Sequence, residues 1–207
     1  MCSTIACDGL DAFLEERGFS ACSFEGHCGQ VSMQQDDIRR YAGSSNVLKI
    51  MEIGFNAGHS ADTILSCNPA ASLTSFDIGH HDYVLHAKEY IDATYPDRHT
   101  LIIGDSTKSI PTFIETDAHE TKFDIIFIDG GHDFPIVQAD VLNCKMLAHK
   151  DTIVILDDTV YTKGWEQSYT IGPTRMWMQQ VQIGSISEIE AKDYHVGRGQ
   201  SVGKFVL

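Results

Sequence analysis

The chain has 207 residues, 29 of them acidic and 15 basic, for a net charge of −14 at neutral pH. That length suits one α/β domain with a sizeable core, and 43% hydrophobic against 21% charged residues is ordinary for a globular protein. The charge disfavours a nucleic-acid backbone or an anionic membrane as the main partner and suits an enzyme of small molecules.

No apolar run approaches the roughly 20 residues needed to span a membrane. The opening Met1-Cys-Ser-Thr-Ile-Ala-Cys-Asp has neither a basic n-region nor a long apolar h-region, so a cytoplasmic protein without a signal peptide is expected. The six cysteines (Cys2, Cys7, Cys22, Cys28, Cys67, Cys144) are scattered, with no C-x-x-C pair. Reduced thiols are expected rather than zinc or disulfides, with a Cys22–Cys28 pairing as the alternative.

Residues 11–45 read as helical cover, with Leu10, Phe13 and Leu14 spaced for one helix face and Ile38 and Tyr41 for another. After that, apolar runs at 48–53, 72–77, 99–103, 123–128 and 152–157 read as strands. The stretches between them, 59–67, 82–95, 106–115 and 134–147, carry helical spacing. Strands alternating with helices predict right-handed crossovers and a mostly parallel sheet with helices on both faces. Residues 173–182 read as a further helix, and 186–190 and 202–207 as two short strands. There are no internal repeats, low-complexity tracts or linkers, so residues 1–207 are expected to form a single domain. Its parts would be the cover over 1–45, a core over 46–160, and an acceptor-side segment with closing strands over 161–207.

In an open α/β sheet, ligands bind beyond the carboxyl ends of the strands, so the residue ending each run carries the most information. The first run passes Glu52 and enters a turn with Gly54 and Gly58 before a helix that opens near His59 and Ser60. Glycines there let a backbone approach a ligand closely. A nicotinamide fingerprint would read G-x-G-x-x-G and take a pyrophosphate. Here the middle glycine is missing, and the acid would repel a pyrophosphate and suit a cation, so a nicotinamide-dependent oxidoreductase is disfavoured. The second run ends at Asp77, whose carboxylate can accept from ribose hydroxyls or cap the next helix. The third ends in Gly104-Asp105-Ser106, which can read an adenine edge or cap the next helix, or both.

These residues resemble the class I S-adenosylmethionine (SAM)-dependent methyltransferases, whose first motif is written E/D-x-G-x-x-x-G-x-S. The resemblance covers about residues 45–160. It implies a Rossmann-like seven-stranded sheet with an antiparallel last strand, matched here by Val202-Gly-Lys-Phe-Val-Leu207. It also implies SAM held by Glu52, Gly54, Gly58, Ser60, Asp77, Asp105 and Ser106, with Glu52 and its glycines at the methionine part. His59 would line the cofactor or serve as a polar helix start.

The fourth run ends in Asp129-Gly-Gly-His132-Asp133 and the fifth in Asp157-Asp158-Thr159. Three acids converging at one sheet edge repel each other strongly. Either some are protonated or a cation sits among them, and oxygen ligands without thiolates favour Mg²⁺. The alternative is that the acids cap helices and the glycines form only a tight loop. This set resembles the metal-dependent O-methyltransferases, catechol-type and macrocin-type sugar enzymes alike. By that resemblance Asp129, Asp157 and Asp158 hold Mg²⁺, and His132 stands where the catechol enzymes place a lysine base, with Asp133 a weaker candidate. The resemblance implies methyl transfer from SAM to a hydroxyl of a small molecule. Metal-independent transfer to a nitrogen, protein or nucleotide acceptor, and a silent SAM-binding protein, are the alternatives. Enzymes of this size often form homodimers. His80, His81, Asp82 and His86 form a polar cluster that reads as a solvated helix start, with a zinc site as the alternative. Trp165, Met176 and Trp177 read either as an acceptor wall or as core.

Overall fold

Every apolar run of the sequence folds as a strand. The computed structural model describes residues 6–20, 24–116, 121–194 and 197–207, which leaves Cys2, Cys22 and the opening segment outside the described residues. The strands are β1 (Lys49–Ile53), β2 (Ser72–Asp77), β3 (His99–Ile103), β4 (Phe123–Ile128), β5 (Ala148–Asp157), β6 (Ile186–Asp193) and β7 (Gly199–Phe205). The helices are α1 (Ala6–Glu16), α2 (Ser32–Ala42), α3 (His59–Cys67), α4 (Tyr83–Thr94), α5 (Ser106–Thr116), α6 (Phe134–Met146) and α7 (Ile171–Gln182).

The strands make one sheet in the order β3-β2-β1-β4-β5-β7-β6. Neighbours from β3 to β5 pair in parallel, and β7 is antiparallel to both β5 and β6. The Rossmann-like sheet with an antiparallel last strand is therefore present. The last two strands are longer than their apolar residues suggest. Pairing continues from Ile186↔Phe205 to Asp193↔Gly199, and it carries Glu188, Glu190 and Lys192, whose polar side chains mask the strand in the sequence. β5 likewise starts early, because Ala148 pairs with Phe123 ahead of an irregularity in the ladder.

Alternation along each strand sends side chains to two separate cores. Ile50, Ile125 and Phe127 pack with Leu10, Leu14, Ile38 and Ile64 on the side covered by α1 to α4. Met51, Ile53, Ile126 and Ile128 pack with Ile110, Val137, Val141, Met176 and Trp177 on the side covered by α5 to α7. Burying a side chain of this size contributes about 2 kcal/mol. With both faces covered, the carboxyl ends of the strands are left to form a cleft.

Candidate active site

The cleft at those strand ends encloses about 700 Å³ and is lined from several elements at once, including Gly54, Asn56, Asp77, Asp105, Ser106, Asp129, His132, Asp158, Tyr169 and Arg198. The turn after β1 forms its floor. Gly54 has φ +93°, and a Cβ there would lie 1.9 Å from the carbonyl oxygen of Asp129. Only glycine lets this turn lie directly on the end of β4. Gly58 has φ +83° and opens α3 over the ring of Phe55.

Glu52 is fully buried and does not line the cleft. Its carboxylate accepts from the hydroxyl of Ser60, and from that of Ser75 at 2.6 Å. The acid thus ties the start of α3 to its neighbouring strand, where Glu52 and Ser75 are paired in register. Burial lifts its pKa from 4.5 to about 7, although both hydroxyls favour the charged form. The folded state therefore holds a proton that the unfolded chain releases above about pH 4.5. This group's contribution to stability falls as pH rises from about 4.5 to about 7 and is level above that. In urea unfolding at pH 5 and pH 8, Glu52→Gln is expected to remove up to about 3 kcal/mol of this pH dependence relative to the native chain.

Asp77 accepts from the backbone N–H of Asn56 at 2.8 Å and of Gly79 at 2.7 Å. It fixes the two loops on either side of the cleft and faces the cleft itself. Asp105 accepts from the N–H of Thr107 at 3.0 Å and its hydroxyl at 2.6 Å, so it caps α5 while lining the cleft with Ser106. These bonds hold its pKa below the usual carboxylate range.

The acids after β4 and β5 converge. Donor atoms of Asp129, His132 and Asp158 all lie within 4.8 Å of one another. His132 Nε2 is 2.8 Å from Asp158 Oδ2. This bond is the main reason that the His132 pKa is raised. Asp158 has φ +57°, a left-handed conformation that aspartate tolerates better than most residues. Asp157 is set behind them, 2% exposed, where it accepts from the side-chain amide of Gln34 on α2. Burial, then the charge of Asp158, pushes the Asp157 carboxyl up. Burial, then Asp157 and Asp158, pushes Asp129 up as well. Asp157 Oδ1 and Asp158 Oδ1 are buried with no hydrogen-bond partner among the described residues. Buried, repelling carboxylates with unspent oxygens call for positive charge.

α7 packs directly on the His132 loop. A Cβ on Gly172 would lie 2.0 Å from the His132 carbonyl oxygen, so Gly172→Ala must displace that loop. The variant is expected to lose about a hundredfold in turnover while cofactor affinity stays within a few-fold. Steady-state kinetics beside a binding titration checks this.

Other candidates separate cleanly. His59 is 1% exposed, lies 2.8 Å from Asp11 Oδ1 and stacks on His27 at 3.5 Å, outside the cleft lining. His80 and His81 line the cleft, with His81 Nε2 3.2 Å from Glu25 Oε1, and His86 pairs with Glu89. The described residues of this cluster form no metal-holding group. Met176 and Trp177 are core, fully buried, with the Trp177 indole donating to Glu188 at 2.6 Å. Trp165 is 39% exposed and does not line the cleft. Tyr169 and Arg198 are among the cleft residues not expected from the sequence. Tyr169 sits edge-on to His132 at 5.5 Å, and Arg198 lies 3.9 Å from Asp158. For Arg198 a signal existed, a lone basic residue between Gly197 and Gly199 at the start of the closing strand.

Comparison with known proteins agrees with this fold. No curated protein sequence matches the chain. Among solved structures, the O-methyltransferase of Bacillus cereus in complex with S-adenosylhomocysteine (SAH) is similar at 17% identity, covering 94% of this chain and 90% of that one with a TM-score of 0.72. The O-methyltransferase of Streptomyces achromogenes involved in tomaymycin synthesis, in complex with SAM, is similar at 14% identity, 98% and 90% coverage and a TM-score of 0.72. The SAH-bound methyltransferase of Podospora anserina gives 16%, 97% and 88%, and 0.69. At these identities the likeness is one of fold. The profile of the methyltransferase domain matches residues 51–159, more than half of the sequence, and the chain belongs to that methyltransferase family.

Proposed function

We propose that this methyltransferase moves a methyl group from SAM to a hydroxyl of a small molecule, with Mg²⁺ held at the acid cluster. The observation that carries the reading is the single cleft lined both by Gly54, Asp77, Asp105 and Ser106 and by Asp129, His132 and Asp158. The first set suits a nucleoside with a cationic tail, and the second suits an acceptor that must lose a proton. Solved neighbours with the same fold hold SAM or SAH.

The donor set fits a hard divalent ion, with carboxylate oxygens and one imidazole close together and two buried oxygens unspent. Asp129 and Asp158 would hold it, with the charge of Asp157 behind them. When bound, SAM would supply a sulfonium methyl for attack by an ionised hydroxyl, the O–C bond forming as the C–S bond breaks and SAH leaves, and the ion would lower the pKa of that hydroxyl. The chain's own residues orient and deprotonate. Asp77 and Asp105 fix the nucleoside end. His132 is tied to Asp158 through Nε2, so it takes the acceptor's proton at Nδ1. Residues 46–160 then act as the cofactor-binding core and 161–207 as the acceptor side, within one domain. No described helix is long and apolar enough to cross a membrane, and the charge of −14 fits a small-molecule acceptor better than a nucleic acid.

Calorimetric titration with SAH, in Mg²⁺ and again in EDTA with NADH as control, tests the reading. Micromolar SAH binding without NADH binding is expected, with methyl transfer to a panel of catechols and sugar diols lost in EDTA. Absence of SAH binding in both buffers would overturn it. Transfer that survives EDTA would leave a metal-independent enzyme, a reading that the positive charge of Arg198 in the acid cluster favours.

A further inference from the structure

The acid cluster already contains a cation. β7 runs antiparallel to β5 with Asp157 opposite Gln200, so the chain just ahead of Gln200 passes beside Asp158. Arg198 arises there. Its Nε lies 3.9 Å from Asp158 Oδ1, one of the buried oxygens without a hydrogen bond. Its Nη1 donates to the carbonyl oxygen of His27 at 3.2 Å. A Cβ on Gly26 would come within 3.4 Å of Nη2, and the side chain is only 12% exposed. The guanidinium is therefore anchored by the segment ahead of α2 and held facing the acids.

We propose that Arg198 is the resident counter-cation of the acid cluster, and that by neutralising Asp157 and Asp158 it sets how tightly a divalent ion is held on Asp129 and Asp158. The inference rests on the metal part of the proposed function. Its physical basis is mutual repulsion. A fixed positive charge about 4 Å from a ligand oxygen opposes a second cation on the same carboxylate by more than tenfold in affinity, even at the effective dielectric of a protein surface. Arginine cannot shed its proton to relieve this. Burial works against the charge of Arg198, yet Asp157, Asp158 and Asp129 outweigh it and hold the pKa above the usual value. Arg198 is thus a positioning residue that keeps the carboxylates ordered when no ion is bound.

Mn²⁺ titration followed by electron paramagnetic resonance tests this on the full chain. Arg198→Gln removes the charge and keeps a donor for His27, Arg198→Met removes both, and Arg198→Lys keeps the charge. Melting by circular dichroism and SAH affinity first show which variants are folded, and either neutral variant suffices. The neutral variants are expected to bind Mn²⁺ at least about tenfold more tightly than the native chain, with the lysine variant within about threefold of it. Equal or weaker binding by the neutral variants overturns the proposal, because the guanidinium would then be a tether or an acceptor contact. A gain in the lysine variant as large as in the neutral ones also overturns it, since charge would not be the cause. If no protein binds Mn²⁺ while SAH still binds, both this inference and the metal part of the proposed function fall, and the cofactor reading stands.

Discussion

Asp129→Asn is expected to reduce methyl transfer by about a thousandfold, to leave SAH affinity within about threefold, and to make the folded protein more stable at pH 8. Asp129 sits at the end of β4, in the same cleft as His132 and Asp158. Removing a preorganised charge from the reacting region typically costs 10²–10³ in turnover or more. The sign of the stability change follows from the electrostatics. Burial and the charges of Asp157 and Asp158 push the Asp129 carboxyl well above its usual range, so at pH 8 its ionisation works against folding. Asparagine has nearly the same shape and carries no charge. A gain of about 1 kcal/mol at pH 8 is expected, vanishing toward pH 4 where the carboxyl is protonated. Loss of activity with gain of stability is the mark of a group kept for chemistry rather than for folding. Thermal melts at both pH values, beside transfer assays and Mn²⁺ binding, check all three parts. A variant less stable than the native chain at pH 8 would count against the electrostatic account.

The part of the site that could be read from the sequence follows from one rule of construction. In a parallel sheet with helical crossovers, every residue that ends an apolar run arrives at the same edge. Asp77, Asp105 and Asp129 are that kind of residue, and they line one cleft. The rule says where a strand ends but not which way a side chain turns. Glu52 and Asp157 also stand at strand ends, yet alternation sends both behind the cleft, to Ser60 and Ser75 in one case and to Gln34 in the other. Those partners come from a helix start, a neighbouring strand and the N-terminal cover, and no local pattern announces them. Arg198 is 40 positions beyond Asp158 in sequence and reaches it only through antiparallel pairing of β7 with β5. Met176 and Trp177 show the other limit, because helical spacing is the same for a core residue and a substrate wall. Only packing against β6 and β7 makes them core.

His132→Gln is expected to lower turnover by 10²–10³, within the usual range for a positioned general base, and the size of the loss should depend on the acceptor. His132 is bonded to Asp158 and edged by Tyr169, an arrangement that orients the ring and strengthens it as a base. A base matters most when the hydroxyl is a poor acid. With an aliphatic sugar diol, nearly the whole proton transfer falls on His132. With a nitro-substituted catechol, already ionised near neutral pH, it falls on solvent before binding. The deficit should therefore shrink to less than about tenfold for the acidic acceptor, and added imidazole should restore part of the rate for the weakly acidic one. SAH affinity is expected to stay unchanged, since the ring contacts Asp158 and Tyr169 rather than Asp77 or Asp105. A loss of equal size across a series of acceptors of graded acidity would instead mean that His132 holds the metal or the acceptor in place, and the proton would have to leave by another route.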